Sequence, residues 1–84
     1  MSNWVFQVFV FRDGEFLGTE MAAGTSFVLG RDPSCAVVVQ DEQASRRHFQ
    51  VSVVGPDSVL QDLGSANGTF VNSARITGPV VISG

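Results

Sequence analysis

An all-β sandwich of mostly antiparallel strands is the fold class that this 84-residue sequence predicts. No segment places apolar residues at i, i+3, i+4 and i+7 over the length that a helix requires. Short runs rich in Val and Phe recur instead, each closed by residues with turn chemistry. Strands at such spacing build a sandwich or a barrel.

The first expected strand, Trp4–Phe11, is apolar on both faces, so it requires cover on both sides or contact with another chain. Asp13-Gly14 closes it in a tight turn and Phe16–Met21 follows. Ala23-Gly24 sets off Ser26–Arg31, and Asp32-Pro33-Ser34 breaks the chain before Ala36–Val39. His48–Val54 has the cleanest alternation, with Phe49, Val51 and Val53 facing inward and Gln50 and Ser52 outward. Gly55-Pro56-Asp57 folds that strand back on Ser58–Asp62. Asn67-Gly68 leads into Thr69–Val71, and Gly78-Pro79 into Val80–Ile82.

The length suits one domain, residues 1–84, without repeat or linker. Hydrophobic residues make up 44% and charged ones 15%, too apolar for a disordered chain. A net charge of −3 and a pI near 4.7 argue against a nucleic-acid partner. All cations are arginines (Arg12, Arg31, Arg46, Arg47 and Arg75), and the absence of lysine excludes Schiff-base chemistry. Cys35 is the only cysteine and His48 the only histidine, so an internal disulfide is excluded and an ordinary zinc site lacks ligands. No metal and no cofactor are expected. The N-terminal run has no basic segment or cleavage site before it and is too short to span a bilayer, which predicts no membrane insertion and a cytoplasmic setting.

Hairpin geometry brings the chemistry together. If His48–Val54 and Ser58–Asp62 pair antiparallel, the loop Leu63–Gly68 lands beside Ser45-Arg46-Arg47-His48 at one end of the sheet. Arginine forks, serine hydroxyls and turn N–H groups suit an anionic oxygen cluster such as a phosphate. The competing reading makes these arginines solvated charges or partners of Asp41, Glu42 and Asp62. Arg12 and Arg75 look peripheral. Ser45, His48 and Asp62 are the residue types of a hydrolytic triad, but no nucleophile elbow accompanies them, and we expect no enzyme.

Three motifs stand in order: Gly30-Arg31, then Ser45-Arg46-Arg47-His48, then Asn67-Gly68-Thr69-Phe70-Val71-Asn72. The series resembles the forkhead-associated (FHA) pattern G-R … S-x-x-H … N-G-T-x-x-N. The resemblance implies an FHA-like β-sandwich whose loops at one end bind phosphothreonine-containing proteins or peptides in Ser/Thr-kinase signalling. It implies that Arg31 meets the phosphate through its guanidinium, Ser45 through its hydroxyl and backbone N–H, and that Arg46 lines the site. Asn67 would bond the peptide backbone, with Gly68 beside it in the turn, and a small pocket around Asn67 would take the threonine methyl. Gly30, His48, Thr69 and Asn72 would be architectural: Gly30 for close packing, His48 as a brace of the Ser45 loop, Asn72 to tie down the turn after Thr69–Val71.

Gln43, Arg47, Ser65 and Ala66 fall at the rim, and Gln43 and the loop Ser73–Thr77 are expected to tune sequence preference. Ala66 departs from the family, many members of which carry Ser or Thr there; Ser65 is placed to substitute in part. The family also closes with a hairpin, so its last one or two strands are expected to be missing, as in a domain truncated from a longer protein. A bare edge on Trp4–Phe11 would then be covered by a homodimer partner, by strand exchange or by further sequence. The alternative function keeps the fold without the phosphate: a phosphate-independent interaction or self-association module.

Overall fold

The computed structural model describes residues 5–82. Trp4, the expected start of the first strand, and the terminal Gly84 lie outside the described residues. Nine strands form among those described: β1 (Val5–Arg12), β2 (Glu15–Ala23), β3 (Ser26–Gly30), β4 (Val37–Val38), β5 (Phe49–Val54), β6 (Asp57–Asp62), β7 (Phe70–Val71), β8 (Ala74–Arg75) and β9 (Val80–Val81). No helix among them is long and apolar enough to cross a membrane.

Turn chemistry sets the pairing. Asp13 and Gly14, at φ 51° and 81°, close the β1–β2 hairpin, because a right-twisted strand pair favours positive φ in a two-residue turn. Gly55, at φ 59°, does the same before Pro56 and fixes β5 against β6 from Val54↔Asp57 to Phe49↔Asp62. The main sheet has the order β4-β3-β5-β6-β9, antiparallel except for the parallel β3–β4 pair. The β1–β2 hairpin packs over it as a second layer, with Phe6 and Phe27 rings 5.0 Å apart.

Sequence alone gave no β8. Asn72 and Ser73, at φ 50° and 69°, make a tight turn that returns the chain as Ala74–Arg75 against Phe70–Val71. Asn72 therefore acts through its left-handed backbone, which asparagine tolerates better than most residues. The expected strand Thr69–Val71 starts one residue late, because Thr69 is turned into the loop network described below.

The core is small. Val37 is fully buried, joined by Ala22, Phe27, Val51 and Leu60. In β5 only Val51 is buried; Phe49 and Val53 are half-covered, so the expected alternation holds in direction more than in depth. Phe49 borders an open apolar groove of about 430 Å³ beside β1, lined also by Phe27, Val51 and Leu60 and by Phe6 and Val8. The two-sided cover expected for β1 is not met among the described residues. Phe6 and Val8 pack against the core, whereas Phe9 and Phe11 remain 56% and 62% exposed, and among the described residues β2 is the only strand paired with β1.

Gly30 shows how tightly β3 meets the chain ahead of β5. A Cβ at this position would overlap the Arg46 carbonyl oxygen and stand 2.6 Å from its carbon. Both are backbone atoms tied into the sheet, since the same carbonyl accepts from the Asp32 N–H at 3.1 Å. Gly30→Ala should therefore lower stability by about 3 kcal/mol in urea unfolding, the upper end for overpacking. A loss below about 0.5 kcal/mol would show that this backbone yields freely.

Candidate functional site

Two loops meet at the end of the sheet where β3 ends and β5 begins. The Arg31 N–H donates to the Ser45 carbonyl at 3.0 Å, and the His48 N–H to the Leu29 carbonyl at 2.8 Å. The Leu63 N–H donates to the His48 carbonyl at 2.9 Å, which carries the loop 63–68 to the same end, as the hairpin argument expects.

The loops are cross-bonded. The Ala66 N–H donates to Ser45 Oγ at 2.9 Å, and Asn67 Nδ2 donates to the Gln43 carbonyl at 2.8 Å. His48 Nδ1 accepts the Ser45 N–H at 3.0 Å, and Nε2 stands 2.7 Å from the Gly68 carbonyl. A carbonyl only accepts, so Nε2 carries the proton and Nδ1 the lone pair. This corrects one expectation: the Ser45 backbone N–H is held by His48 and not presented to an anion. The hydroxyl remains. Its oxygen accepts from Ala66, which leaves its own proton to donate outward.

These bonds also dismantle the imagined triad. His48 meets the Ser45 backbone rather than its hydroxyl, and neither ring nitrogen bonds Asp62. Among the described residues no group of three or more His, Cys, Asp or Glu side chains is arranged to hold a metal.

The cations are oriented rather than free. Arg31 is exposed, and its Nε donates to the Ala44 carbonyl at 2.6 Å, which anchors the guanidinium and leaves its terminal N–H groups to donate elsewhere. Arg46 and Arg47 are exposed beside it. Their charges help hold the Asp32 carboxyl below its usual range, after the Ser34 N–H and side-chain bonds, of which the N–H is the larger cause. The competing reading, in which the loop arginines pair with Asp41, Glu42 or Asp62, finds no such pair among the described residues, where the one salt bridge joins Arg12 to Asp41 at 3.7 Å. Cys35 donates its thiol proton to the Arg46 carbonyl at 3.2 Å, so this buried cysteine belongs to the packing under the loop.

Asp62 is the residue that sequence reasoning missed as a support. Its Oδ1 accepts from the Ser65 and Thr69 hydroxyls, and its Oδ2 from the N–H groups of Gly64 and Ser65 at 3.0 and 3.1 Å. The Ser65 hydroxyl, then that of Thr69, are the main causes that draw its carboxyl down from 3.8 to about 2. Ser65 is thereby corrected from rim to interior: it is buried and its hydroxyl faces Asp62, so it does not replace the hydroxyl that Ala66 lacks. The Asp-x-x-Ser spacing was the available signal, since an aspartate often caps the turn that follows it.

Arg75 is not peripheral. A Cβ at Gly68 would stand 2.7 Å from Arg75 Nε and 3.0 Å from Cζ, so the guanidinium lies over Gly68, next to Asn67. Gly68 has φ 85°. That left-handed conformation favours glycine, whereas the arginine above it is the end of a flexible side chain that could move aside. A groove of about 620 Å³ adjoins the loops between Phe11, Leu17, Gln43, Asn67 and Phe70, yet Arg31 and Ser45 do not line it. The anion donors instead sit on open surface.

The FHA domain family profile matches residues 27–83. FhaB of Mycolicibacterium smegmatis, an FHA domain-containing protein, is 36% identical over 74 residues, covering 87% of this chain and 48% of the relative. Human kanadaptin is 39% identical over 77 residues, covering 77% of this chain and 10% of its own length. The chain thus spans about half the length of FhaB. Among solved structures, an FHA domain described for phosphothreonine-dependent interactions superposes with a TM-score of 0.72 at 28% identity, over 99% of this chain and 80% of that one. Mycobacterium tuberculosis EmbR, in complex with a low-affinity phosphopeptide, matches in fold with a TM-score of 0.74 at 22% identity, over 96% of this chain and 20% of its own.

Removing the Asp62 hub should loosen the Asn67 loop. Asp62→Ala is expected to cost about 2 kcal/mol in urea unfolding, the scale of charged hydrogen bonds. Because the folded carboxyl titrates below its unfolded value, its contribution is complete above about pH 4 and is lost as pH falls through about 2. The wild type should lose more stability than Asp62→Asn between pH 4 and pH 2. Parallel pH profiles would show that the four bonds add nothing.

Proposed function

The chain belongs to the FHA domain family, and on that premise we propose that it is a phosphothreonine-binding interaction module of Ser/Thr-kinase signalling rather than an enzyme. The observation that carries the proposal is the Ser45 hydroxyl, whose oxygen accepts the Ala66 N–H and whose own proton is left to donate, near an Arg31 guanidinium braced on Ala44. A phosphate dianion accepts from both at once. Arginine supplies paired, permanently charged donors, and the hydroxyl adds a charge-assisted bond. Arg46 and Arg47 raise the local positive potential in a chain whose net charge is −3.

Asn67 then fixes the ligand chain. One N–H of its carboxamide is committed to the Gln43 carbonyl, which leaves an N–H and an oxygen to bond an extended peptide backbone. The methyl group of the phosphothreonine packs in the loops around Asn67 and distinguishes it from phosphoserine by about 1 kcal/mol. Ala66 contributes its backbone to the Ser45 clamp and has no hydroxyl for the phosphate, so affinity is modest. Gly30, His48, Thr69 and Asn72 hold the backbone in place without touching the ligand.

A second reading, a phosphate-independent module, draws on the exposed apolar side chains of the β1–β2 hairpin, where Phe9, Phe11, Phe16, Leu17 and Met21 are all more than half exposed. Exposed apolar patches of this kind mark interaction surfaces.

Isothermal titration with a phosphothreonine peptide separates the two readings. Arg31→Ala should weaken binding about 10- to 100-fold, the loss of a charged bidentate contact, while circular dichroism stays unchanged. Ser45→Ala should weaken it about tenfold. Equal affinity for phosphothreonine, phosphoserine and unphosphorylated peptides would contradict the phosphate reading.

A further inference from the structure

Arg75 sits on a two-stranded hairpin that has one evident geometric effect: it returns the guanidinium to the mouth of the site. The turn at Asn72 and Ser73 reverses the chain, Arg75 pairs opposite Phe70, and its Nε and Cζ lie against the Cα of Gly68. Arg75 is exposed, and among the described residues no carboxylate stands within salt-bridge distance of it. The residue beneath it follows Asn67 directly in the chain, and the Gly68 carbonyl faces His48.

Standard backbone dimensions bound its distance from the phosphate donors. From Ser45 Oγ through Ala66, Asn67 and Gly68 the path to the guanidinium is at most roughly 15 Å, the reach of four or five extended residues. A peptide whose phosphate meets Ser45 and whose backbone bonds Asn67 thus lies within that distance of Arg75, close enough for a flanking side chain to reach it. We propose that Arg75 is a specificity-determining residue that selects an acidic side chain within a few positions of the phosphothreonine. This rests on the phosphothreonine reading of the site and names a feature of its ligand. Among the described residues the guanidinium has no ion-pair partner to give up, so a ligand carboxylate gains the interaction undiminished. Basic side chains at the same place are repelled, and selectivity comes from both terms.

The test uses phosphothreonine peptides identical except for one flanking residue, scanned as Glu, Ala or Lys through four positions on each side, with an unphosphorylated control for each. Fluorescence anisotropy should show one position at which the wild type prefers Glu to Lys by roughly fivefold, the scale of an exposed charge interaction counted in both signs. Half-molar salt should compress that ratio. Arg75→Ala should bring the ratio near one, Arg75→Glu should invert it, and Arg75→Lys should restore it. If Arg75 served only to cover Gly68, its variants would change all three peptides by the same factor, which would overturn the proposal. A wild type that binds phosphothreonine with no charge preference would overturn it too, leaving the parent reading standing. Failure to bind any phosphopeptide would overturn both.

Discussion

The neutral imidazole of His48 is the part on which the rest of the site depends. It stands between two loops that are twenty residues apart in sequence, taking the Ser45 N–H on one side and facing the Gly68 carbonyl on the other. Only one tautomer satisfies both bonds, and in that state every polar atom of the ring is used. The consequence reaches the ligand groups. With its backbone turned inward to His48, Ser45 presents a hydroxyl whose oxygen is occupied by Ala66 and whose proton is free. With its carbonyl held, Gly68 stays in the left-handed turn that sets Asn67 before it and receives Arg75 above it.

Around that bridge the remaining supports act on backbone rather than on side chains that would touch a ligand. Gly30 lets the Arg46 peptide lie directly on β3, and the Arg46 carbonyl is then held by Asp32 and Cys35. Asp62 gathers the loop 64–69 through four bonds. A recognition surface built in this way gives up little conformational freedom on binding. The contrast with the other side of the molecule is sharp. There the core is half-open, and β1 shows aromatic side chains on its outer face.

Much of this was legible in the sequence because it depends on turn chemistry and pleat parity, both local. Asp13-Gly14 and Gly55-Pro56 set the hairpins, and the second places residues 45–48 beside 63–68. Illegible features depended on which of two hydrogen-bond partners a group takes. The Ser45 N–H has a choice between an anion and His48, and spacing does not decide it. Ser65 has a choice between the rim and Asp62. Arg75 looked peripheral because β8 is two residues long and carries no periodicity; the signal was the Asn72-Ser73 pair, whose left-handed turn reverses the chain. The depth of burial on β5 was also out of reach, since alternation reports which face a side chain takes and not what covers it.

The ring nitrogens of His48 test the bridge most directly. Long-range ¹⁵N–¹H correlation spectra of the labelled 84-residue chain at neutral pH distinguish a protonated ring nitrogen from a bare one. Cross-loop bracing predicts a single species with the proton on Nε2, a bare Nδ1, and no change of tautomer when a phosphothreonine peptide is added. A proton on Nδ1, or a mixture of tautomers in the free domain, would contradict it, because the Ser45 N–H would then lack its acceptor and the two loops would not be locked together.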